Sequence, residues 1–236
     1  AYGDYNDSMN LFEEVVENAC LAVHNSTKVN YQGTEIDFKR PWKRLKMVDA
    51  VAEKNGIDVL NMKKADIIQF MKDKEIDLDP KITHSKGLVI SALFEATCEE
   101  SLVQPTFVID HPIDTTPLCK PLRQYSMQQL DEMKKDPEAV IFVERFEPYI
   151  NKWELGNSYT ELNDPVLQRA LLEEQVERGR GGEEETHPLD EDFLRAIEVG
   201  MPPTTGVGLG VDRLVMLLTN SATIRDVLFF PLMRPL

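Results

Sequence analysis

The run from 139 to 162 constrains the fold most. Ala139–Glu147 and Trp153–Leu162 are strand-like, and the link between them centres on Asn151–Lys152. A parallel pair needs a crossover of a dozen residues or more, so strands this close must pair antiparallel. A second hairpin is expected where Lys28–Tyr31 and Glu35–Phe38 alternate around Gly33. Helical spacing covers 8–24, with Asp7 or Ser8 as cap, and recurs at 47–55 (ended by Gly56), 61–74 (followed by Pro80) and 85–100. Residues 126–136 are helical in pattern but very polar, which marks 121–141 as a surface insertion. Asp164–Pro165 supplies N-cap and first position for a helix to about Arg178; 179–188 reads as a mobile acidic loop, followed by a helix at 190–199. Further strands are expected at Pro105–Asp110, at 205–210 and at Val227–Phe230, with a helix at 211–220. There is no internal repeat. The fold class expected is α+β, an antiparallel β-sheet flanked by helices, rather than a doubly wound parallel sheet.

With 236 residues, one or two domains can bury a core without staples. The 26 basic against 41 acidic residues leave a net charge of −15, which disfavours a surface built mainly to grip nucleic acid or an anionic membrane; a local basic strip or a separate basic domain remains compatible. Cys20, Cys98 and Cys119 lack metal-type spacing and leave an odd count, pointing to a reducing compartment, with the cytoplasm as the expected location. No apolar run approaches the ~20 residues of a membrane span, so no membrane partner is expected. There is no basic-then-apolar leader. Ala1 is expected to follow processing or to be the cut end of something longer.

Three stretches carry chemistry. In Gly206–Pro235, Gly206, Gly208 and Gly210 alternate along one strand and leave one face bare, where a flat ligand such as adenine fits. Arg213, in the first turn of the next helix, suits a phosphate. Glycines for close packing and a surface ion pair for Arg213 fit equally. A Rossmann reading is poor, because the spacing is G-x-G-x-G and no acidic residue follows a second strand.

In Glu144–Asp164, a two-residue turn at Asn151–Lys152 sets Ile150 opposite Trp153 and Tyr149 opposite Glu154. Glu147 and Glu154 then share a sheet face on neighbouring strands, an arrangement suited to a hard divalent cation such as Mg²⁺ carrying phosphates. Strict alternation sets Asn157, Tyr159 and Glu161 on the opposite face from Glu154. A bulge at Leu155–Gly156 returns them, and that bulge is predicted. The resulting amide, aromatic wall and carboxylate suit an amine with an aliphatic stem. A polar outer hairpin face explains the same spacing. The third stretch, Pro105–Lys120, holds His111, Asp114 and Lys120 in a Pro-punctuated loop, and His111 receives no role. No Ser or Cys nucleophile is supported by a nearby motif.

Gly206–Arg213 with the tail TNSATIRDVLFFPLMRP resembles the third class II signature of aminoacyl-tRNA synthetases in its lysine-specific form. WELGNSYTELNDPVLQR is similar to the lysyl-enzyme hairpin, residues 86–120 match through LFE and QPTF to TTPL, and AYGDYNDSM resembles the segment just after the second signature. The chain thus resembles the C-terminal part of a class II lysyl-tRNA synthetase catalytic domain, over nearly its whole length. The resemblance implies that Glu147 and Glu154 hold Mg²⁺ on ATP, Glu154 and Arg213 act in catalysis, and Asn157, Tyr159 and Glu161 line the lysine pocket with Glu161 on the ε-ammonium. It further implies Arg213 on the γ-phosphate and Gly206, Gly208 and Gly210 flanking adenine. The implied reaction joins L-lysine to tRNA(Lys) through lysyl-adenylate, in a longer enzyme that is a homodimer. The first signature, the arginine of the second and an N-terminal OB-type anticodon domain are not in these residues. Thr116, Cys119 and Thr205 stand where Ser, Ala, and Gly or Ala are commoner. Rival readings are a paralogous lysine ligase acting on a protein, a non-catalytic binding module retaining the fold, and an aspartate or asparagine synthetase, which would require a cationic pocket where Glu161 stands.

Overall fold

The computed structural model describes residues 1–180 and 188–232. Helix α1 (Tyr5–His24) begins one turn earlier than its apolar spacing indicates. Its cap is Asp4, not Asp7 or Ser8: the Asn6 amide donates to Asp4 Oδ1 at 2.8 Å while the Asp4 amide donates to Asp7 Oδ2 at 2.9 Å. That reciprocal box satisfies two orphan amides. Ser8 instead lies buried with its hydroxyl 2.8 Å from that of Thr205. The expected hairpin follows as β1 (Lys28–Tyr31) and β2 (Thr34–Asp37). Then come β3 (Lys43–Lys46), α2 (Met47–Asn55), α3 (Lys64–Asp73), α4 (Lys86–Thr97), β4 (Thr106–Pro112) and α5 (Met127–Met133). The second half holds β5 (Phe142–Ile150), β6 (Trp153–Glu154), β7 (Gly156–Thr160), α6 (Pro165–Arg180), α7 (Glu191–Val199), β8 (Thr205–Leu209) and α8 (Val211–Thr219). Gly56 ends α2 at φ 69°, and Asp164 caps α6 by accepting from the Val166 and Leu167 amides.

The main sheet has the order β3-β4-β5-β7-β8, with β6 also on β5. It is mixed, which corrects the antiparallel expectation: β3 runs parallel to β4. The sequence of β3, KRLK, buries only Leu45 and carries no strand-like run. Helices α2 to α4 then form the crossover that a parallel pair needs. The strand expected at Val227–Phe230 is also absent. A 3₁₀ turn at Ile224–Asp226 precedes these residues, which form no regular element, and Phe229 and Phe230 are 95% and 96% exposed. An apolar run alone does not distinguish a strand from an exposed segment. Of the loop expected at 179–188, Gly179 and Arg180 close α6 and 181–187 lie outside the described residues.

The two sheet faces are covered differently. On one face α1 and α8 bury an aromatic cluster in which Phe12 meets Trp42, Phe107 and Phe146 edge-on, with centroids 5.9, 6.1 and 6.3 Å apart. Such edge-to-face pairs add roughly 0.5–1.5 kcal/mol each beyond area burial. On the other face α2, α3 and α4 cover the β3–β4 side, burying Val108, Phe94 and Tyr149. That second layer leaves the surface over β7 and β8 uncovered. Segment 121–141 is fastened at its start, where Arg123 donates to Glu144 Oε1 and to Asp4 Oδ2, both at 2.7 Å. Among the described residues no helix is long and apolar enough to cross a membrane.

Candidate active site

The uncovered face is assembled by strand register. Asn151 and Lys152 take φ 51° and 68°, the left-handed pair of a type I′ hairpin turn. Ile150 accordingly opposes Trp153, and Tyr149 opposes Glu154. Farther along, Arg145 opposes Tyr159, so β7 has gained one residue on β5 between Glu154 and Gly156. This is the expected bulge at Leu155–Gly156. A Cβ on Gly156 would stand 2.2 Å from the backbone oxygen of Gly208 and 2.9 Å from Phe12, so only glycine fits. Because paired residues share a face and faces alternate, the bulge brings Arg145, Glu147, Tyr149, Glu154, Asn157 and Tyr159 to one side. Glu161 continues the row through a bridge with Cys119.

On β8, Gly206 opposes Tyr159 and Gly208 opposes Asn157, so both bare positions face the same side. Gly210 lies beyond the strand, where its amide donates to the Leu155 carbonyl at 2.7 Å and its own carbonyl starts α8. The bareness has a specific use at Gly206: an added Cβ would stand 2.4 Å from Glu161 Oε1. The glycine is what lets that carboxylate lie across the strand.

Arg213 reaches back to donate to the backbone carbonyl of Glu154. With Glu99, Tyr149, Trp153, Glu154 and Met216 it lines a cleft of about 510 Å³. A larger cavity of about 760 Å³, lined by His111, Arg145, Glu147 and Gln175 among others, adjoins it, and Tyr149 lines both. Of the nine residues singled out from the sequence, Glu147, Glu154, Asn157, Tyr159, Gly206 and Gly208 lie on β5–β8, Glu161 directly follows β7, and Gly210 and Arg213 lie at the start of α8; the Tyr149–Glu154 pairing and the bulge are the ones expected.

The electrostatics follow from crowding acids on a partly desolvated face. Burial pushes the Glu154 carboxyl above the usual carboxylate range; Glu147 adds to that, while Arg145 and Arg213 oppose it. Burial also raises Glu161, with no charged neighbour offsetting it. Tyr159 is pushed up to about 12 by burial and then by Glu161. Burial holds the His111 imidazole down at about 4, so it is neutral at pH 7. Cys119, beside Glu161, is raised to about 12 by burial and is no nucleophile.

Three residues escaped sequence reasoning. Arg145 donates to Glu147 Oε1 at 2.5 Å, to Asn157 Oδ1 at 3.0 Å and to Thr115 Oγ1 at 3.1 Å. Period-two spacing from Glu147 was the signal available for it. The Tyr149 hydroxyl lies 2.8 Å from Glu99 Oε1 and 3.1 Å from Glu147 Oε2. Burial raises Glu99, the Tyr149 hydrogen bond opposes this, and Glu147 adds to it. Glu99 arrives from the 3₁₀ turn Glu99–Ser101 after α4, far away in sequence, and nothing local announces it.

A family profile described as tRNA synthetases class II (D, K and N) matches residues 1–234. The chain belongs to this family. As a member of the class II synthetases, it is similar to the lysine–tRNA ligase of Clostridium perfringens, with 44% identity over 237 residues, covering 100% of this chain and 44% of the relative. The lysine–tRNA ligase of Clostridium acetobutylicum is 43% identical over 237 residues (100% and 43% covered), and that of Streptococcus pyogenes 45% over 236 residues (100% and 44% covered). The chain thus spans less than half the length of these curated relatives.

The donor set fits a magnesium ion. Two carboxylates, Glu147 and Glu154, share a face and repel each other, which a hard dication between them relieves. Among the described residues no group of three or more His, Cys, Asp or Glu is arranged as a self-sufficient metal site. Mg²⁺ on a nucleotide takes most of its ligands from phosphates and water, so two protein carboxylates suffice.

Proposed function

We propose that this chain is the part of a class II lysine–tRNA ligase that binds lysine and Mg²⁺–ATP, forms lysyl-adenylate, and passes the lysyl group to tRNA(Lys). The whole protein is proposed to be cytoplasmic and homodimeric. Within the D, K and N family the choice of lysine rests on one observation. Glu161 is a half-buried carboxylate raised by desolvation, and no cation pairs with it among the described residues. A cationic side chain satisfies it, while the side chain of aspartate would be repelled and that of asparagine would leave its charge unpaired.

The residues divide the work by chemistry. Tyr159, opposite Arg145 and next in the row to Glu161, offers an aromatic wall for an aliphatic stem. Arg145 can only donate, so Asn157 turns Oδ1 toward it and leaves Nδ2 to donate toward the substrate carboxylate. Glu147 and Glu154 would hold Mg²⁺, which when bound neutralises phosphate charge during attack on the α-phosphate. Arg213 releases the Glu154 carbonyl to meet a phosphate, and the bare backbone at Gly206, Gly208 and Gly210 is proposed to flank adenine. The lysine carboxylate attacks in line at the α-phosphate, and pyrophosphate leaves. Such a transfer needs positioning and charge stabilisation rather than a protein nucleophile. The 3′-terminal ribose hydroxyl of tRNA then attacks the lysyl carbonyl carbon of the adenylate, forming the ester as the acyl–phosphate bond breaks and AMP leaves.

The test is amino-acid-dependent ATP–pyrophosphate exchange by the full-length protein. Lysine is expected to support exchange and aspartate and asparagine to fail. Exchange driven by aspartate or asparagine, or wild-type lysine exchange after Arg213→Ala, contradicts the proposal.

A further inference from the structure

Arg145 joins the two halves of the site. Its side chain is 15% exposed, and the guanidinium uses three N–H groups on three side chains. Nη2 holds Glu147, one of the two acids assigned to the metal. Nε holds Asn157, the amide assigned to the substrate carboxylate. Nη1 holds Thr115, in the 3₁₀ turn at Ile113–Thr115 after β4. A planar fork bound at three corners transmits a displacement at one corner to the others, because its donors keep fixed angles.

We infer that Arg145 is a positioning residue that couples the two subsites: lysine binding at Asn157 aligns Glu147 for Mg²⁺–ATP, and Mg²⁺–ATP at Glu147 aligns Asn157 for lysine. This rests on the assignment of the site made above. Coupling between two ligands is reciprocal, so it is measurable from either side. The fork holds Glu147 and Asn157 at one end each. The second oxygen of Glu147 goes to Tyr149 and the amide nitrogen of Asn157 is left for the substrate. Each ligand therefore fixes a side chain that the guanidinium already grips. The Arg145 donors that hold Glu147, Asn157 and Thr115 are spent on protein side chains. The effect of Arg145 is on the ratio of affinities rather than on either contact.

The experiment is calorimetry on the full-length protein with L-lysine, alone and with saturating Mg²⁺ and a non-hydrolysable ATP analogue. The wild type is expected to bind lysine at least about fivefold more tightly when the nucleotide is present. Arg145→Lys keeps the charge but replaces the fork with a single ammonium, which cannot span three partners. It is expected to bring the ratio to within about twofold of unity while both ligands still bind. A merely structural role lowers the melting temperature and leaves the ratio alone. Thr115→Val, which removes one corner of the fork and leaves Glu147 and Asn157 in place, serves where Arg145→Lys does not fold, and is expected to lower the ratio with little change in either single-ligand affinity. A wild-type ratio near one, or a wild-type ratio retained in the folded variants, overturns the inference. A wild type that binds neither lysine nor Mg²⁺–nucleotide is a different result: it overturns the functional assignment, and the inference with it.

Discussion

Gly206→Ala separates what the site does from what holds the fold. The new Cβ stands 2.4 Å from Glu161 Oε1, whereas ordinary contact begins at 3.4 Å, so one of the two must move by about 1 Å. The backbone of β8 is fixed by its ladder to β7, and the obstacle is the end of a flexible side chain, so Glu161 yields. The fold loses little: a change of this kind stays within about 0.5 kcal/mol, or roughly 1–2 °C in melting temperature. Function loses much. A carboxylate displaced by about 1 Å gives up a charge-assisted hydrogen bond to an ammonium worth roughly 1.5–3 kcal/mol, or about 10- to 100-fold in affinity. Calorimetric lysine titration and thermal denaturation of the same preparation read both quantities. A folded variant that binds lysine within about twofold of wild type refutes the placement of Glu161 in the amino-acid pocket. A large loss of stability refutes the claim that only a side chain obstructs the new methyl.

Gly156→Ala, only fifty residues away in the chain, is expected to do the reverse: its Cβ meets the Gly208 backbone oxygen at 2.2 Å, so the sheet itself must shift, at a cost of roughly 1–3 kcal/mol read by urea denaturation. Glu161→Gln is expected to weaken lysine about 10- to 100-fold in the same titration while raising the melting temperature of the ligand-free protein at neutral pH, because it removes a charge whose burial is unfavourable. The pH dependence has a definite sign. The folded carboxyl of Glu161 is raised, so its burial penalty is present above that raised value and is relieved as pH falls through it, while lysine affinity falls over the same window, a profile Glu161→Gln abolishes. Tyr149→Phe removes the hydroxyl between Glu99 and Glu147 and is expected to raise the Mg²⁺ concentration giving half-maximal exchange, with little change in the lysine KM.

The legible parts of this molecule were those set by local spacing. A two-residue turn dictates the register of its own strands, and the register dictates which carboxylates share a face. The bulge was legible because a glycine stood where the alternation needed one extra residue. What escaped was set by tertiary partners. The sequence of β3 is nearly all charged, and it becomes a strand only because β4 offers a parallel edge. The cap of α1 moved to Asp4 because Tyr5 docks on Thr160 at 3.0 Å and Ser8 on Thr205, contacts invisible along the chain. Val227–Phe230 has strand-like composition, yet no strand edge lies against it. Glu99 joins the site from the 3₁₀ turn after α4, so no spacing rule ties it to Glu147. Arg145 was within reach of the same period-two argument that found Glu147, but a cation between two acids reads as a surface ion pair until its three partners are known.

The most direct measurement is a crystal structure of the full-length protein with L-lysine, Mg²⁺ and a non-hydrolysable ATP analogue. The ε-ammonium is expected on Glu161 beside Gly206 and the metal between Glu147 and Glu154, with Arg213 turned onto a phosphate. An amino-acid carboxylate seated at Glu161, or a metal–nucleotide held elsewhere on the molecule, would contradict this arrangement.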